Sequence, residues 1–144
     1  MFSLIPRYVK TGRIPSNLSL WRATKSLWIA LHVLGTTSIY MDDESAALEY
    51  LSKATRLTRQ IGSEAFLTSL LPGYTLILHR RGQVDRALSL LGLALARPAC
   101  ESDTRLEIEK ILAGWGMSQD LESVSRLGDG LDLSGEIDGL QALV

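Results

Sequence analysis

The chain matches itself when it is shifted by 40 residues, and this internal repeat constrains the fold more than any other feature of the sequence. The matching residues are alanine or leucine, and they recur at the spacing of one helical face. A self-match with a period of about 20–50 residues is typical of proteins built from stacked structural repeats. The repeat therefore predicts two copies of one helical unit. The identical pairs are Ala47 with Ala87, Leu48 with Leu88, Leu51 with Leu91, and Ala54 with Ala94.

A short turn separates two helical segments in each copy. The turn contains Asp42-Asp43 in the first copy and Gly82-Gln83 in the second. An aspartate at this place can accept hydrogen bonds from the free N–H groups of the following helix, and a glycine can end the preceding helix in the left-handed conformation. Each copy is therefore expected to be a helical hairpin. The predicted helices lie near residues 19–39, 43–60, 64–81, 83–96 and 103–114.

The composition favours an all-α fold with no disulfide. Leucine and alanine are abundant, and aromatic residues make up only 6% of the 144 residues, which favours helices over sheet. The single cysteine, Cys100, cannot form an internal disulfide, so a reducing cytoplasm is the expected location. No apolar run approaches the roughly 18 residues of a membrane helix, and "MFSLIPRYVK" is interrupted too early for a signal peptide. "LWIALHVLG" is expected to be a buried helical segment.

Charge is distributed unevenly along the chain. Residues 1–97 contain 12 Lys/Arg and 6 Asp/Glu, whereas residues 98–144 contain 3 Lys/Arg and 10 Asp/Glu. The overall net charge of −1 gives no reason to expect that this chain alone binds nucleic acid. The asymmetry fits either a basic surface for an acidic partner or two solvated surfaces without a special role.

The segments "LHVLGTTSIYMDDESAALEYLSKA" and "LPGYTLILHRRGQVDRALSLLGLA" resemble tetratricopeptide repeats. The resemblance lies in Leu34-Gly35, in the Gly82 turn and in the repeated Ala/Leu/Ala spacing. It implies antiparallel helix hairpins stacked as a short α-solenoid with a C-terminal capping helix. The 40-residue period exceeds the usual one of about 34. The longer period is similar to that of the C-terminal repeats of large bacterial regulators, such as LuxR-type activators and signal-transduction ATPases.

The self-match and the polar, glycine-rich segment "GDGLDLSGEIDG" predict a division of the chain into three parts. Residues 1–18 would form an N-terminal extension, and residues 19–117 would form the repeat domain. Residues 118–144 would be an acidic, partly disordered tail, with 128–144 poorly packed. The repeats would cover about 24–62 and 64–97, and the capping helix about 103–114. That helix is amphipathic, and its residues expected to lie over the second hairpin are Leu106, Ile108, Ile111 and Leu112.

The resemblance also implies a function as a protein-protein interaction scaffold, in which the first helix of each copy lines a concave groove. Arg80, Arg81 and Arg86 would suit an acidic partner segment, although a solvated helix end is the simpler explanation for them. Two other functions stay open: a sensor domain that holds a small effector in the groove, and a gene fragment with no independent role. The groove candidates are Ile29, His32, Thr36, Ile39, Ser69, Leu76, His79, Arg80, Arg81 and Arg86.

No motif in the sequence predicts catalysis, a cofactor or a metal. A Ser/His/Asp order, a glycine-rich phosphate loop and a cysteine pair are all lacking. Asp42-Asp43-Glu44 is explained by helix capping and first-turn acids. His32 and His79 have no second ligand at metal-binding spacing. The sequence therefore predicts a non-enzymatic protein.

Two features carry further expectations. Pro72-Gly73 falls inside the first helix of the second copy, where a proline removes a backbone hydrogen bond, so a kink near Leu71 or a restarted helix is expected. On the N-terminal side, the face with Trp21, Leu27 and Trp28 has no capping helix in the sequence. Two repeats are fewer than a stacked array usually needs. The segment "MFSLIPRYV", preceding repeats or a homodimer could close that face, and self-association as a homodimer is the expected way.

Overall fold

The computed structural model describes residues 18–117 and 120–143, and these residues form seven helices and no strand. The all-α prediction is confirmed. The five predicted helices all form, each within two residues of its expected ends. Two further helices follow near the C-terminus. The helices are α1 Leu18–Tyr40, α2 Glu44–Ile61, α3 Glu64–Arg80, α4 Val84–Ala96, α5 Ser102–Gly114, α6 Leu121–Arg126 and α7 Leu133–Gln141.

The chain divides into two compact units within α3. One unit is Met1–Leu67 and the other is Thr68–Val144. Residues 1–17, most of the predicted N-terminal extension, lie outside the described residues. None of the helices within the described ranges is long and apolar enough to cross a membrane.

In the first unit, α1 packs against α2. A Cβ atom placed on Gly35 of α1 would lie 2.9 Å from both Cγ and Cδ2 of Leu51. Because Gly35 has no side chain, the Leu51 side chain can pack directly against the backbone of α1. Ala47 and Ala54, one turn away on either side of Leu51, are also fully buried, as the small-residue pattern of the repeat predicts.

The turns of the two copies have the same hydrogen bonds. After α1, the N–H of Asp42 donates to Ile39 O (3.1 Å) and the N–H of Asp43 donates to Ser38 O (2.8 Å). After α3, the N–H groups of Gly82 and Gln83 make the equivalent bonds, 40 residues later. Both patterns are the Schellman arrangement that ends a helix with a left-handed residue. The sequence-derived repeat is thus also a repeat of backbone geometry. The equivalent bonds are Gly82 N–H to His79 O (3.0 Å) and Gln83 N–H to Leu78 O (2.9 Å).

The left-handed position is occupied differently in the two turns. Gly82 has φ +80°, as the sequence predicts, whereas Asp42 adopts φ +62° at the equivalent place. Aspartate is one of the few residues that tolerate this conformation. Asp43 then caps α2, because its Oδ1 accepts a hydrogen bond from the N–H of Ala46 (3.1 Å). The capping role, which the sequence left open between two aspartates, therefore belongs to Asp43.

The centre of α3 is buried on all sides, and it includes the proline. Pro72 and Gly73 are both buried, and the helix continues through them to Arg80. The expectation of a restarted helix is wrong. Thr75 Oγ1 donates a hydrogen bond to the carbonyl oxygen of Pro72 (2.6 Å). Because the Pro-Gly pair is buried, it does not offer a surface to a ligand. The kink near Leu71 stays a prediction.

In the second unit, α4 carries the repeated alanines and leucine on its buried side. Ala87, Leu91 and Ala94 are fully buried, like their counterparts in α2. The helix α4 packs against α6. There Gly92 and Gly128 allow two backbone segments to touch, since a Cβ on Gly92 would overlap the carbonyl oxygen of Val124.

The helix predicted near 103–114 forms as α5, and one of its four residues expected to be covered is exposed. Ile108, Ile111 and Leu112 are buried, but Leu106 is exposed. Leu106 lies outside the three-and-four spacing that relates the other three residues, so it points away from the buried side. A hydrogen bond between the hydroxyl groups of Ser69 and Thr104 (3.0 Å) joins α3 to α5.

The expectation that residues 128–144 are poorly packed is wrong. Leu133, Ile137 and Leu140 of α7 are buried, and they share one face of the helix at i, i+4 and i+7. Asp120 and Asp132 start α6 and α7, because each carboxylate accepts a hydrogen bond from a backbone N–H three residues later. The acids that suggested a disordered tail therefore include helix caps.

Candidate functional site

The outward side of α1 is apolar and nearly free of charge. Between Leu18 and Tyr40 the only acidic or basic residues are Arg22 and Lys25, apart from His32. Several large apolar side chains on this helix are exposed. Patches of exposed apolar surface often mark interaction sites. The exposed large apolar residues of α1 and its final turn are Leu20, Leu27, Ile29, Val33, Leu34, Tyr40 and Met41.

All of these residues except Leu20 belong to two strips along the helix. At about 100° per residue, Ile29, Val33 and Tyr40 lie within about 40° of one another, and we call them the outer strip. A second set lies farther round the helix, at alternating steps of four and three residues, and we call it the Leu/Ala stripe. All of its residues are exposed, with Leu27 at 45% and Met41 at 73%. The Leu/Ala stripe consists of Ala23, Leu27, Ala30, Leu34, Thr37 and Met41.

The inward side of α1 is held by aromatic contacts. The Trp28 ring stacks on Phe66, with centroids 4.6 Å apart, and Trp21 stacks on the same ring at 6.4 Å. The indole N–H of Trp28 donates a hydrogen bond to Thr58 Oγ1 (2.7 Å). Trp28 is buried and Trp21 is half-buried. The prediction of an open face carrying both tryptophans is therefore wrong, and of its three residues only Leu27 is exposed.

His32 and Thr36 lie one turn apart at the edge between the buried and exposed sides of α1. Both are half-buried. His32 Nε2 and Thr36 Oγ1 are themselves buried and have no hydrogen-bond partner in the part of the chain that the structure describes. Burial lowers the pKa of His32 below its ordinary value of 6.5, because a charged imidazolium loses hydration there. The His32 ring also contacts the Trp28 ring at a centroid distance of 5.1 Å.

The remaining groove candidate of the first copy is Ile39. It is only 3% exposed, so its side chain belongs to the core and does not line a surface. Ile39 lies close in angle to Trp28 on the helix, which explains its burial. Of the four residues predicted in this copy, Ile29 is well exposed, and His32 and Thr36 are at the edge.

The candidates from α3 are mostly packed inside the second unit. Leu76 is 8% exposed and belongs to the core. Ser69 is half-buried and bonded to Thr104. The His79 ring stacks on the Trp115 ring, with centroids 4.0 Å apart and planes 7° from parallel. The prediction that Leu76 lines a groove is therefore wrong, because the whole centre of α3 is buried.

The three predicted arginines lie in different environments. Arg80 and Arg81 are exposed at the C-terminal end of α3, where cations are favoured by the helix dipole. Arg86 is half-buried on α4, and its Nη2 lies 3.2 Å from the position that a Cβ on Gly139 would occupy. Arg86 therefore packs against α7, whereas the other two present charge at the surface.

No cluster of three or more His, Cys, Asp or Glu side chains suited to a metal ion is found among residues 18–117 and 120–143. Cys100 is half-buried, and burial raises the pKa of its thiol, an effect that Arg105 opposes. A thiol of this kind is a poor nucleophile near neutral pH.

Sequence reasoning missed most of the exposed face of α1. "LWIALHVLG" was expected to be buried, yet it contains Leu27, Ile29, Val33 and Leu34, all of them exposed. The available signal was a second set of apolar residues, the Leu/Ala stripe, which repeats every seven residues on a different face of the helix from Trp28 and Gly35.

Comparisons of the chain with protein-family models, with curated proteins and with solved structures find no match in any of the three.

Proposed function

We propose that this protein is a non-enzymatic protein-protein interaction scaffold built from tetratricopeptide-like helix hairpins arranged as a short α-solenoid. In this proposal it serves as the repeat part of a bacterial transcriptional or signalling regulator. The support for the repeat architecture is the pair of equivalent turns 40 residues apart. It is joined by the complete burial of the repeated Ala/Leu/Ala residues in α2 and α4.

The observation that carries the function is the outer strip of α1. Ile29, Val33 and Tyr40 are 44%, 55% and 71% exposed. Large apolar side chains aligned along a helix lose unfavourable contact with water when a partner covers them. The aromatic stack behind α1 fixes the helix, so the strip is presented without a large ordering cost. A partner segment with apolar anchors at helical or extended spacing fits this strip.

Arg80 and Arg81 supply the second element of the proposal. Two exposed guanidinium groups at the end of α3 favour acidic side chains in a partner. Interactions of this kind weaken as salt rises, because the screening length falls to about 8 Å at physiological ionic strength.

A peptide-display selection on the immobilised full-length protein tests the proposal. Apolar peptides and acidic peptides should both be enriched, and Ile29→Glu should weaken binding of the apolar peptides by about tenfold or more. Arg80→Ala/Arg81→Ala should weaken binding of the acidic peptides at low salt and flatten the salt dependence. Lys110→Ala, which removes an exposed cation from α5, is the matched control and should bind like wild type. Equal binding by all variants, or no enrichment, would contradict the proposal.

A further inference from the structure

We propose that the Leu/Ala stripe of α1 is the interface for a second copy of this chain, whose α1 lies antiparallel to the first. The stripe is separate from the outer strip. Its centre lies about 120° round the helix from Ile29. The inference therefore goes beyond the proposed function, since both surfaces can be occupied together.

The spacing of the stripe is that of a helix-helix seam. Ala23, Ala30 and Thr37 recur every seven residues, and so do Leu27, Leu34 and Met41, which gives two stripe residues per heptad. This is the period at which two helices keep the same residues in contact over several turns. The stripe continues into the last turn, because the N–H of Met41 donates to Thr37 O (3.0 Å). Its length of about 27 Å at 1.5 Å per residue covers most of α1.

The alternation of side-chain size selects the antiparallel orientation. The longer residues Leu27, Leu34 and Met41 alternate with shorter ones. In a parallel pair, equal residues would meet, so that layers of two leucines would alternate with layers of two alanines and the packing would be uneven. In an antiparallel pair, each longer residue faces a shorter one, which gives even interdigitation. The facing pairs are Ala23 with Met41, Leu27 with Thr37, and Ala30 with Leu34.

Charge selects the same orientation and register. The N-terminal half of α1 carries Arg22 and Lys25, and α1 contains no acidic residue. Asp42, Asp43 and Glu44 follow its C-terminal end directly. In the antiparallel register described above, Arg22 of one copy lies at the same level along the helix pair as Asp42 of the other, so a basic helix end and an acidic turn come near each other twice. A parallel pair would place the basic ends side by side and the acidic ends side by side.

Charge also argues for a second copy over the preceding segment of the same chain. Residues 1–17 contain Arg7, Lys10 and Arg13 and no acidic residue. Placed on α1, they would bring like charges close to Arg22 and Lys25. A second copy instead brings acidic residues to the level of Arg22 and apolar residues of matching size to the stripe.

Sedimentation velocity of the full-length protein over a concentration series tests the interface. Wild type should form a dimer, and Leu34→Glu should raise its dissociation constant by about tenfold or more, because a carboxylate would be buried next to Ala30 of the other copy. Ile29→Glu, which changes an equally exposed residue outside the stripe, should leave the dimer unchanged. Circular dichroism should show native helix content in both variants. A folded wild-type monomer at every concentration, or equal effects of the two variants, would overturn the proposal.

Cysteine cross-linking tests the orientation. In a Cys100→Ser background, Ala23→Cys and Met41→Cys proteins should form a disulfide dimer when mixed, and each alone should form little. In the antiparallel pair, two copies of residue 23 lie about 27 Å apart, too far for a disulfide. Efficient cross-linking of Ala23→Cys with itself would show a parallel pair and overturn the proposed orientation. If Ile29→Glu loses peptide binding but still forms the dimer, the outer strip and the Leu/Ala stripe are independent surfaces, and each proposal is tested on its own.

Discussion

Gly92 of α4 and Gly128, two residues past the end of α6, bring two backbone segments into direct contact. A Cβ on Gly92 would overlap Val124 O and lie 2.8 Å from the backbone N of Gly128. A Cβ on Gly128 would lie 2.6 Å from the backbone C of Gly92 and from Cα of Leu93. Both glycines are buried. The contact involves backbone on both sides, so neither partner can turn aside as a flexible side chain would.

We therefore expect Gly92→Ala and Gly128→Ala to destabilise the protein by about 1–3 kcal/mol, the usual cost of overpacking. Urea unfolding followed by circular dichroism measures the change. Gly114→Ala is the control, because a Cβ there has no atom within 4 Å, and its effect should stay within about 0.5 kcal/mol of zero or be stabilising. Equal stability of Gly92→Ala and Gly114→Ala would contradict the close backbone contact.

The second prediction concerns the contribution of the buried Trp28–Thr58 hydrogen bond to stability. Thr58 Oγ1 accepts the indole N–H and donates to Ala54 O (2.7 Å). Thr58→Val would leave the buried indole N–H without an acceptor and should cost about 1–3 kcal/mol in the free energy of unfolding. Thr68→Val is the matched control. Thr68 is fully buried and its Oγ1 has no partner among the described residues, so its replacement should be neutral or stabilising.

A double-mutant cycle isolates this bond from the packing of the ring. Trp28→Phe keeps an aromatic ring on Phe66 but removes the donor. When the donor is already absent, Thr58→Val should cost about 1 kcal/mol less than in the wild-type background. A cycle with no coupling, or equal costs for Thr58→Val and Thr68→Val, would show that the bond does not stabilise the fold.

The third prediction concerns how substitutions of Gly82, in the turn after α3, change stability. Gly82 has φ +80° and open space round its Cα, so the cost of a side chain there comes from backbone conformation alone. Gly82→Ala should lower the free energy of unfolding by about 1–2 kcal/mol. Gly82→Asn should cost less, because asparagine tolerates the left-handed region, as Asp42 does at the equivalent place. A thermal or urea unfolding series that ranks alanine at or above asparagine would contradict this account.

The local fold could be predicted from the sequence where short-range chemistry decides it. The 40-residue self-match predicted the four helices α1 to α4 and their two equivalent turns, and Gly82 and Asp43 marked helix ends by properties of their own backbone and side chain. Ala47 and Ala87 were correctly placed on buried faces, because their spacing with leucine has the period of a helix. Such features depend on residues within about one helical turn of each other.

The errors arose where burial depends on distant residues. Leu76 and Ile39 are apolar residues of the kind that line binding grooves. The elements packed round them bury both side chains in the core. The tail was misjudged because its acids and glycines resemble those of disordered segments. Gly92 and Gly128 are in contact although they are 36 positions apart in the sequence. No local sequence pattern predicts such a contact. The outward side of α1 was taken as buried because apolar residues usually are.

The last prediction concerns the effect of His32 on the pH dependence of stability. Burial lowers the pKa of its imidazole below 6.5 in the folded protein. The unfolded chain therefore binds a proton near pH 6.5, whereas the folded chain binds it only at lower pH. Over that range the unfolded state holds more protons, so stability falls as the pH falls, by at most about 1.4 kcal/mol per pH unit for one group. Above the ordinary pKa the group is neutral in both states and the contribution is constant.

Urea unfolding of wild type and His32→Gln at about pH 7.5 and about pH 5.5 measures this contribution. The decline in stability on acidification should be smaller in His32→Gln. Burial raises the pKa of Glu107, which favours the folded state as the pH falls, but Glu107 is present in both proteins and its effect cancels in the comparison. The variant also loses the ring contact with Trp28, which lowers its stability equally at both pH values. If the stability difference between the two proteins is the same at both pH values, His32 is not held neutral by burial.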